Sequence, residues 1–201
     1  MKEAKFLSYP EVIFKGVYPQ EYTETIEWAG RQSTATKSKG KSKQFVEARV
    51  KEGHLSLGRF VTAQFEVHCS RNTSMQMLRS KFLEFCGESQ RYTKQEPHFI
   101  VPPGEFSDYA LEFYKEFCVS SYISYETLMN SGKMKKEDAR FVLPGSCITS
   151  LAVTMNLQAA RDFLNLRLDK HAQWEIRTIA VIVGYSLLYS CWSFFFDMED
   201  K

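Results

Sequence analysis

The chain has 201 residues, with 26 Lys plus Arg against 24 Asp plus Glu and a formal net charge of +2. So small a basic excess argues against a protein that lives on phosphate-backbone contacts, and no nucleic-acid partner is expected. Hydrophobic residues at 44% and aromatic residues at 14% supply a real core and exclude general disorder, and the length suits a single domain over 1–201.

The first ten residues lack the apolar run of a signal peptide. Residues 5–18 are short, apolar and β-like, with Pro10 and Pro19 as breaks. Residues 20–30 read as a helix with Gly30 as its C-cap. Residues 31–43 read as a mobile polar loop ending in Lys37, Lys39, Lys41 and Lys43, a solvated surface segment or a phosphate-attracting one. A helix over 44–53 ends at Gly53, and 60–69 alternates as a strand. Residues 70–82 look helical, 85–91 form a turn and extended segment, and 97–106 are a loop. A long helix runs over 107–131, capped by Ser107 and closed by Gly132. A helix over 134–143 is stopped by Pro144, 149–155 is a strand, and 157–168 and 171–196 are helices. The predicted fold is α+β, with a small mixed or antiparallel sheet and several long helices.

The segment 178–196 carries no charge, which raises the question of a membrane span. It continues an ordinary charged helix and contains Gly184, Ser186, Ser190 and Ser193, so a buried core helix or a subunit interface is expected and no membrane. The cysteines Cys69, Cys86, Cys118, Cys147 and Cys191 are odd in number and widely spaced, with no C-x-x-C. Neither a disulfide framework nor a metal site is expected, and the setting is read as reducing and cytoplasmic. No dinucleotide fingerprint, P-loop, zinc-protease or nucleophile-elbow motif is present, and His54, His68, His98 and His171 are scattered.

More specific information lies in four blocks. Residues 69–92 contain Ser70-Arg71, then Gln76 three residues before Arg79-Ser80-Lys81, then Ser89-Gln90-Arg91-Tyr92. This resembles the signature region of the flavin-dependent thymidylate synthases: Ser-Arg, Gln, Arg-His-Arg, seven residues, then Ser-x-Arg-Tyr. Ala139-Arg140-Phe141-Val142-Leu143-Pro144 is similar to that family's Ala-Arg-x-x-Leu-Pro. Thr154-Met155-Asn156, Phe163 to Arg167 and His171 to Arg177 are similar to its C-terminal motif, and Gly53-His54-Leu55-Ser56 to the start of its Gly-His-x-Ser-Pro-x-Glu-His.

The resemblance implies reductive methylation of dUMP at C5 to dTMP. Methylenetetrahydrofolate would donate the carbon, FAD would carry electrons and NADPH would reduce it, in a homotetramer whose active sites are shared between subunits. Motif position makes Arg167 the cation beside the uracil ring and groups Ser89 with it as catalytic. C5 of uracil is a weak nucleophile, and a cation stabilises the charge that develops when the ring is polarised. Gln76, Ser89, Arg91, Arg140 and Arg167 are the implied nucleotide contacts, and Arg140 supplies a fork suited to phosphate. Ser89 and Arg91, two apart, would share one face of an extended segment. Arg79, Lys81, Asn156 and His171 are the implied FAD contacts.

The chain departs from the family pattern on the flavin side. Arg-His-Arg reads Arg79-Ser80-Lys81, and Pro-x-Glu-His reads Leu57-Gly58-Arg59-Phe60. Asn-x-Arg reads Asn156-Leu157-Gln158, which removes a cation expected to face the FAD pyrophosphate, and Asp162 stands five residues before Arg167. An alternative therefore stands beside thymidylate synthesis. It is a homologue with a kept nucleotide pocket and a rewritten flavin pocket, which makes a different C5 modification of dUMP, UMP or dCMP or binds nucleotide without catalysis.

Overall fold

The computed structural model describes residues 3–132 and 134–199; Met1, Lys2, Lys133, Asp200 and Lys201 lie outside it. The β-like stretch over 5–18 divides at the break read at Pro10 into two strands, β1 (Lys5–Leu7) and β2 (Glu11–Tyr18), which belong to different sheets. Helices α1 (Tyr22–Gln32) and α2 (Ser42–Lys51) follow, then a 3-10 turn over Leu55–Phe60. Next come β3 (Thr62–Ser70), α3 (Arg71–Met77), β4 (Leu83–Gly87), β5 (His98–Ile100) and the long α4 (Asp108–Asn130). The chain closes with the short α5 (Lys136–Ala139), β6 (Ile148–Asn156), α6 (Leu157–Arg167), α7 (Trp174–Ser190) and the single turn α8 (Trp192–Phe195).

Four strands form an antiparallel sheet in the order β2-β3-β6-β4, and β1 and β5 pair separately in parallel. Phe65 lies opposite Val153, Val67 opposite Leu151 and Ala63 opposite Met155. These residues are buried and face Ile176, Ile179, Ala180 and Val183 of α7 within one apolar cluster. A second cluster, with Phe99, Tyr122, Tyr125 and Leu143, seats α4. Among the described residues, no helix is long and apolar enough to cross a membrane.

Several boundaries differ from expectation. The helix read over 70–82 stops at Met77, because Leu83 and Phe85 are recruited as strand partners of Met155 and Val153. Phe82 turns the chain with φ of +63°. The helix read over 134–143 has only four α-helical residues before a 3-10 turn at Arg140–Val142, since Leu143 precedes Pro144 and is held extended at ψ 137°. The helix read from 171 starts at Trp174, where the Gln173 side chain accepts from the amides of Glu175 and Ile176, and it breaks at Cys191. Gly30 lies inside α1 rather than capping it, and a Cβ there would stand 2.8 Å from the Phe45 ring of α2.

Two buried carboxylates tie elements together. Glu175, at the start of α7, accepts from the Ser70 amide at 2.6 Å, the Ser70 hydroxyl at 2.6 Å and the Thr73 hydroxyl at 2.7 Å. It thereby fastens the first turn of α3 to α7. Burial, and secondly the Glu175 charge, pushes the neighbouring Cys69 thiol up to about 12. Glu27 of α1 accepts from Ser38 and Ser42, each at 2.7 Å, and pairs with Arg31 at 2.7 Å. The lysine-rich connection is thus tied at two serines to the helix before it.

Replacing Glu175 with Ala leaves three buried donors without their acceptor. About 3 kcal/mol or more of stability should be lost, read as a lower urea midpoint at constant slope. The Ser42 hydrogen bond, followed by those of Ser38 and Arg31, lowers the Glu27 carboxyl from 4.5 to about 2. Its stabilisation is therefore complete above pH 4.5 and is lost as pH falls toward 2. At neutral pH, Glu27→Ala should speed tryptic cleavage at Lys37 to Lys43 several-fold, while unchanged cleavage would show that the tether does not order the segment.

Candidate functional site

Two cationic groups flank β4. The first is built on α3 and α6. Arg167, in the last turn of α6, donates Nη2 to the Gln76 carbonyl at 3.2 Å, and the Arg79 amide donates to the same oxygen at 3.3 Å. Gln76, Arg79 and Arg167 are therefore brought together. Burial, and secondly the charge of Arg79, pulls the Arg167 guanidinium below its usual value. Its Nε is buried with no hydrogen-bond partner, and so is the Ser80 hydroxyl beside Arg79. Two cations thus stand together here, and among the described residues the Arg167 Nε and the Ser80 hydroxyl have no hydrogen-bond partner. Lys81 is exposed on the turn that leads into β4.

The second group follows β4. Residues 89–92 form a turn, not the extended segment expected, because the Ser89 carbonyl accepts from the amides of Tyr92 and Thr93, each at 3.0 Å. Ser89 and Arg91 are therefore not set on one face by strand alternation. Arg91 Nε donates to Glu137 Oε2 at 2.7 Å, Arg140 Nε donates to the Glu137 carbonyl at 3.0 Å, and Lys136 donates to the Tyr92 carbonyl at 3.1 Å. Arg91 and Arg140 thus meet around Glu137, whose carboxyl the Arg91 hydrogen bond and charge hold below its usual range. A cavity of about 490 Å³ opens here, lined by Arg91, Tyr92, Met134, Lys135 and Lys136 among others. Tyr122 and Tyr125 of α4 hold Gln95 through its carbonyl and amide, which anchors the segment after the turn.

Strand β4 spans about 17 Å between the two groups. Among the described residues no hydrogen bond or ion pair joins Gln76, Arg79 or Arg167 to Ser89, Arg91 or Arg140.

The other expected FAD contacts are dispersed. Asn156 caps α6, with its side-chain oxygen accepting from the Ala159 amide at 2.9 Å. His171 lies beyond the other end of α6, exposed and paired with Asp169 at 2.8 Å. Sequence reasoning did not single out Glu137, Ser80 or Glu175 as partners. Only the three-residue spacing of Glu137 and Arg140 on one helical turn could have pointed to the first. It also missed that Arg59 reaches Gln158, where Nε meets Oε1 at 2.6 Å.

A family model described as thymidylate synthase complementing protein matches residues 17–186. The flavin-dependent thymidylate synthase of Pyrococcus furiosus is 33% identical over 180 residues, covering 81% of this chain and 73% of that protein. The flavin-dependent thymidylate synthase of Thermococcus kodakarensis is 34% identical over 179 residues, with the same coverage. In fold, the chain is similar to the UMP/dUMP methylase PolB from Streptomyces cacaoi bound with 5-Br UMP. The TM-score is 0.81 at 21% identity, covering 96% of this chain and 95% of that one. The chain belongs to the thymidylate synthase complementing family, the flavin-dependent thymidylate synthase enzymes.

Proposed function

We propose that the protein transfers a one-carbon unit to C5 of a pyrimidine nucleotide, with dUMP as acceptor and dTMP as product. The observation that carries this is Arg167, a partly buried cation with an unpaired Nε, held against the Gln76 carbonyl beside a second cation. In that setting a guanidinium stabilises negative charge that develops on the uracil ring far better than it could in water.

The remaining roles follow from chemistry. Gln76 and Arg167 hold the pyrimidine, while Arg91 and Arg140 bind the phosphate, with Ser89 as a further donor. The residues on the flavin side fit an anionic, hydrogen-bonding cofactor: Arg79 and Lys81 are cations, and the Ser80 hydroxyl lacks a partner. Asn156 and His171 complete that proposed set. FAD, when bound, supplies hydride transfer, with NADPH as reductant and methylenetetrahydrofolate as carbon source. Arg79 and Arg167 orient the nucleotide and the cofactor toward one another.

The separation of the two cationic groups favours a site assembled from different copies of the chain, and we infer a homotetramer on that ground. Tyr109, Phe113 and Phe117 form an exposed aromatic stripe on α4, and Tyr185 and Tyr189 another on α7. Such faces suit burial between subunits. The likeness to a protein described as a UMP/dUMP methylase makes UMP the second acceptor to assay.

Arg167→Ala should lower turnover of dUMP by about a hundredfold or more while the protein still folds; retained activity would sink the assignment. Arg91→Ala should weaken dUMP about tenfold by calorimetry and leave the flavin spectrum of the FAD-loaded protein unchanged. A visible spectrum titrated with FAD and perturbed by dUMP supports the reading. A protein that binds dUMP but no flavin would instead point to a flavin-free modification or to a binding role.

A further inference from the structure

The loss of Arg at position 158 removes a cation from the sequence motif. The fold returns one to the same place. Arg59 and Gln158 are 99 residues apart in sequence, yet Arg59 Nε donates to Gln158 Oε1 at 2.6 Å. In the family pattern these two positions carry Glu and Arg, respectively. Here the cation stands on the other side of the same contact, with a neutral amide as its anchor. The exchange keeps a positive charge at the start of α6 and removes the carboxylate that would have neutralised it. Among the described residues no acidic side chain pairs with Arg59.

Next to Arg59 in the chain, Phe60 packs its ring at 6.2 Å and 88° against Trp28 of α1. Both rings are more than half exposed, Trp28 at 59% and Phe60 at 53%. The hydrogen-bonded guanidinium of Arg59 offers a charge for phosphate, and the solvent-facing rings of Trp28 and its chain neighbour Phe60 offer a flat surface for a base. Helix α6 sets this place about 14 Å along its axis from Arg167. That separation suits an extended cofactor that carries its ring system at one point and its phosphates at another.

We propose that Arg59, anchored by Gln158, is the cation that binds the pyrophosphate of FAD in this protein, with Trp28 and Phe60 forming the aromatic surface beside it. The inference rests on the FAD-dependent reading above and assigns a residue to the role that position 158 no longer fills.

The test uses the full chain and follows flavin fluorescence during titration with FAD and, separately, with riboflavin, which has no phosphate. Arg59→Gln should weaken FAD about tenfold to a hundredfold and leave riboflavin unchanged. Arg59→Glu should weaken FAD further. Combining Arg59→Glu with Gln158→Arg restores the charge across the same contact and should recover FAD affinity, a rescue that a merely unfolded variant cannot give. Circular dichroism checks that each variant is folded. FAD affinity unchanged by Arg59→Gln, or riboflavin weakened equally, overturns the role of Arg59 while the flavin reading stands. No FAD binding by the unaltered protein overturns both.

Discussion

The structure hangs on a carboxylate buried where two helices begin. Glu175 takes an amide and two hydroxyls from the start of α3 while standing in the first turn of α7. A bare carboxylate in that position would cost several kcal/mol in lost hydration. Three short donors and a position at the positive end of α7 offset the cost. The consequence reaches further than stability. Glu175 fixes α3, α3 carries Gln76, and the Gln76 carbonyl fixes the guanidinium of Arg167. A group that touches no substrate in the proposed reaction therefore sets the position of the cation on which that reaction depends.

The two cationic groups manage charge in opposite ways. Around Arg167, partial burial and a neighbouring Arg79 disfavour the charged free state, and among the described residues no counter-anion meets the orphaned Nε. A ligand with developing negative charge relieves that cost, and relief that grows along the reaction is what accelerates it. Around Arg91 the guanidinium is already paired with Glu137 in a more exposed setting. That pair is worth little in water and would exchange at small cost for the dianionic phosphate proposed above. The first arrangement suits chemistry and the second suits binding, in keeping with the roles proposed for each.

Much of this was legible in the sequence because it is local. Alternation marked β3 and β6, Ser107 marked the start of α4, and the motif blocks marked Gln76, Arg79, Arg91, Arg140 and Arg167. What was not legible depends on pairing between distant segments. Residues 70–82 have a helical composition, but the edge of β6 claims Leu83 and Phe85 and shortens the helix to seven residues. Pro10 marked a break within residues 5–18, but not that the strands on its two sides serve different sheets. The missing cation at 158 could be counted from the motif. Its replacement could not, because Arg59 and Gln158 meet only once the turn over Leu55–Phe60 packs onto α6.

The same distinction between local and distant bears on how the proposed site is completed. The motif groups residues on both sides of β4 as contacts to one nucleotide, but a strand cannot bend to bring its own ends together. Within one chain, Gln76, Arg79 and Arg167 form one group and Ser89, Arg91 and Arg140 a second, with no hydrogen bond or ion pair between them among the described residues. On the reading proposed above, a mononucleotide would take its ring from one group and its phosphate from the other, on two copies of the chain. Such an arrangement gives the aromatic stripes on α4 and α7 a purpose that a monomer would not, since large apolar faces left in water oppose solubility. The proposed assembly would also make activity depend on protein concentration. Dilution below the assembly constant would separate ring from phosphate while leaving each chain folded.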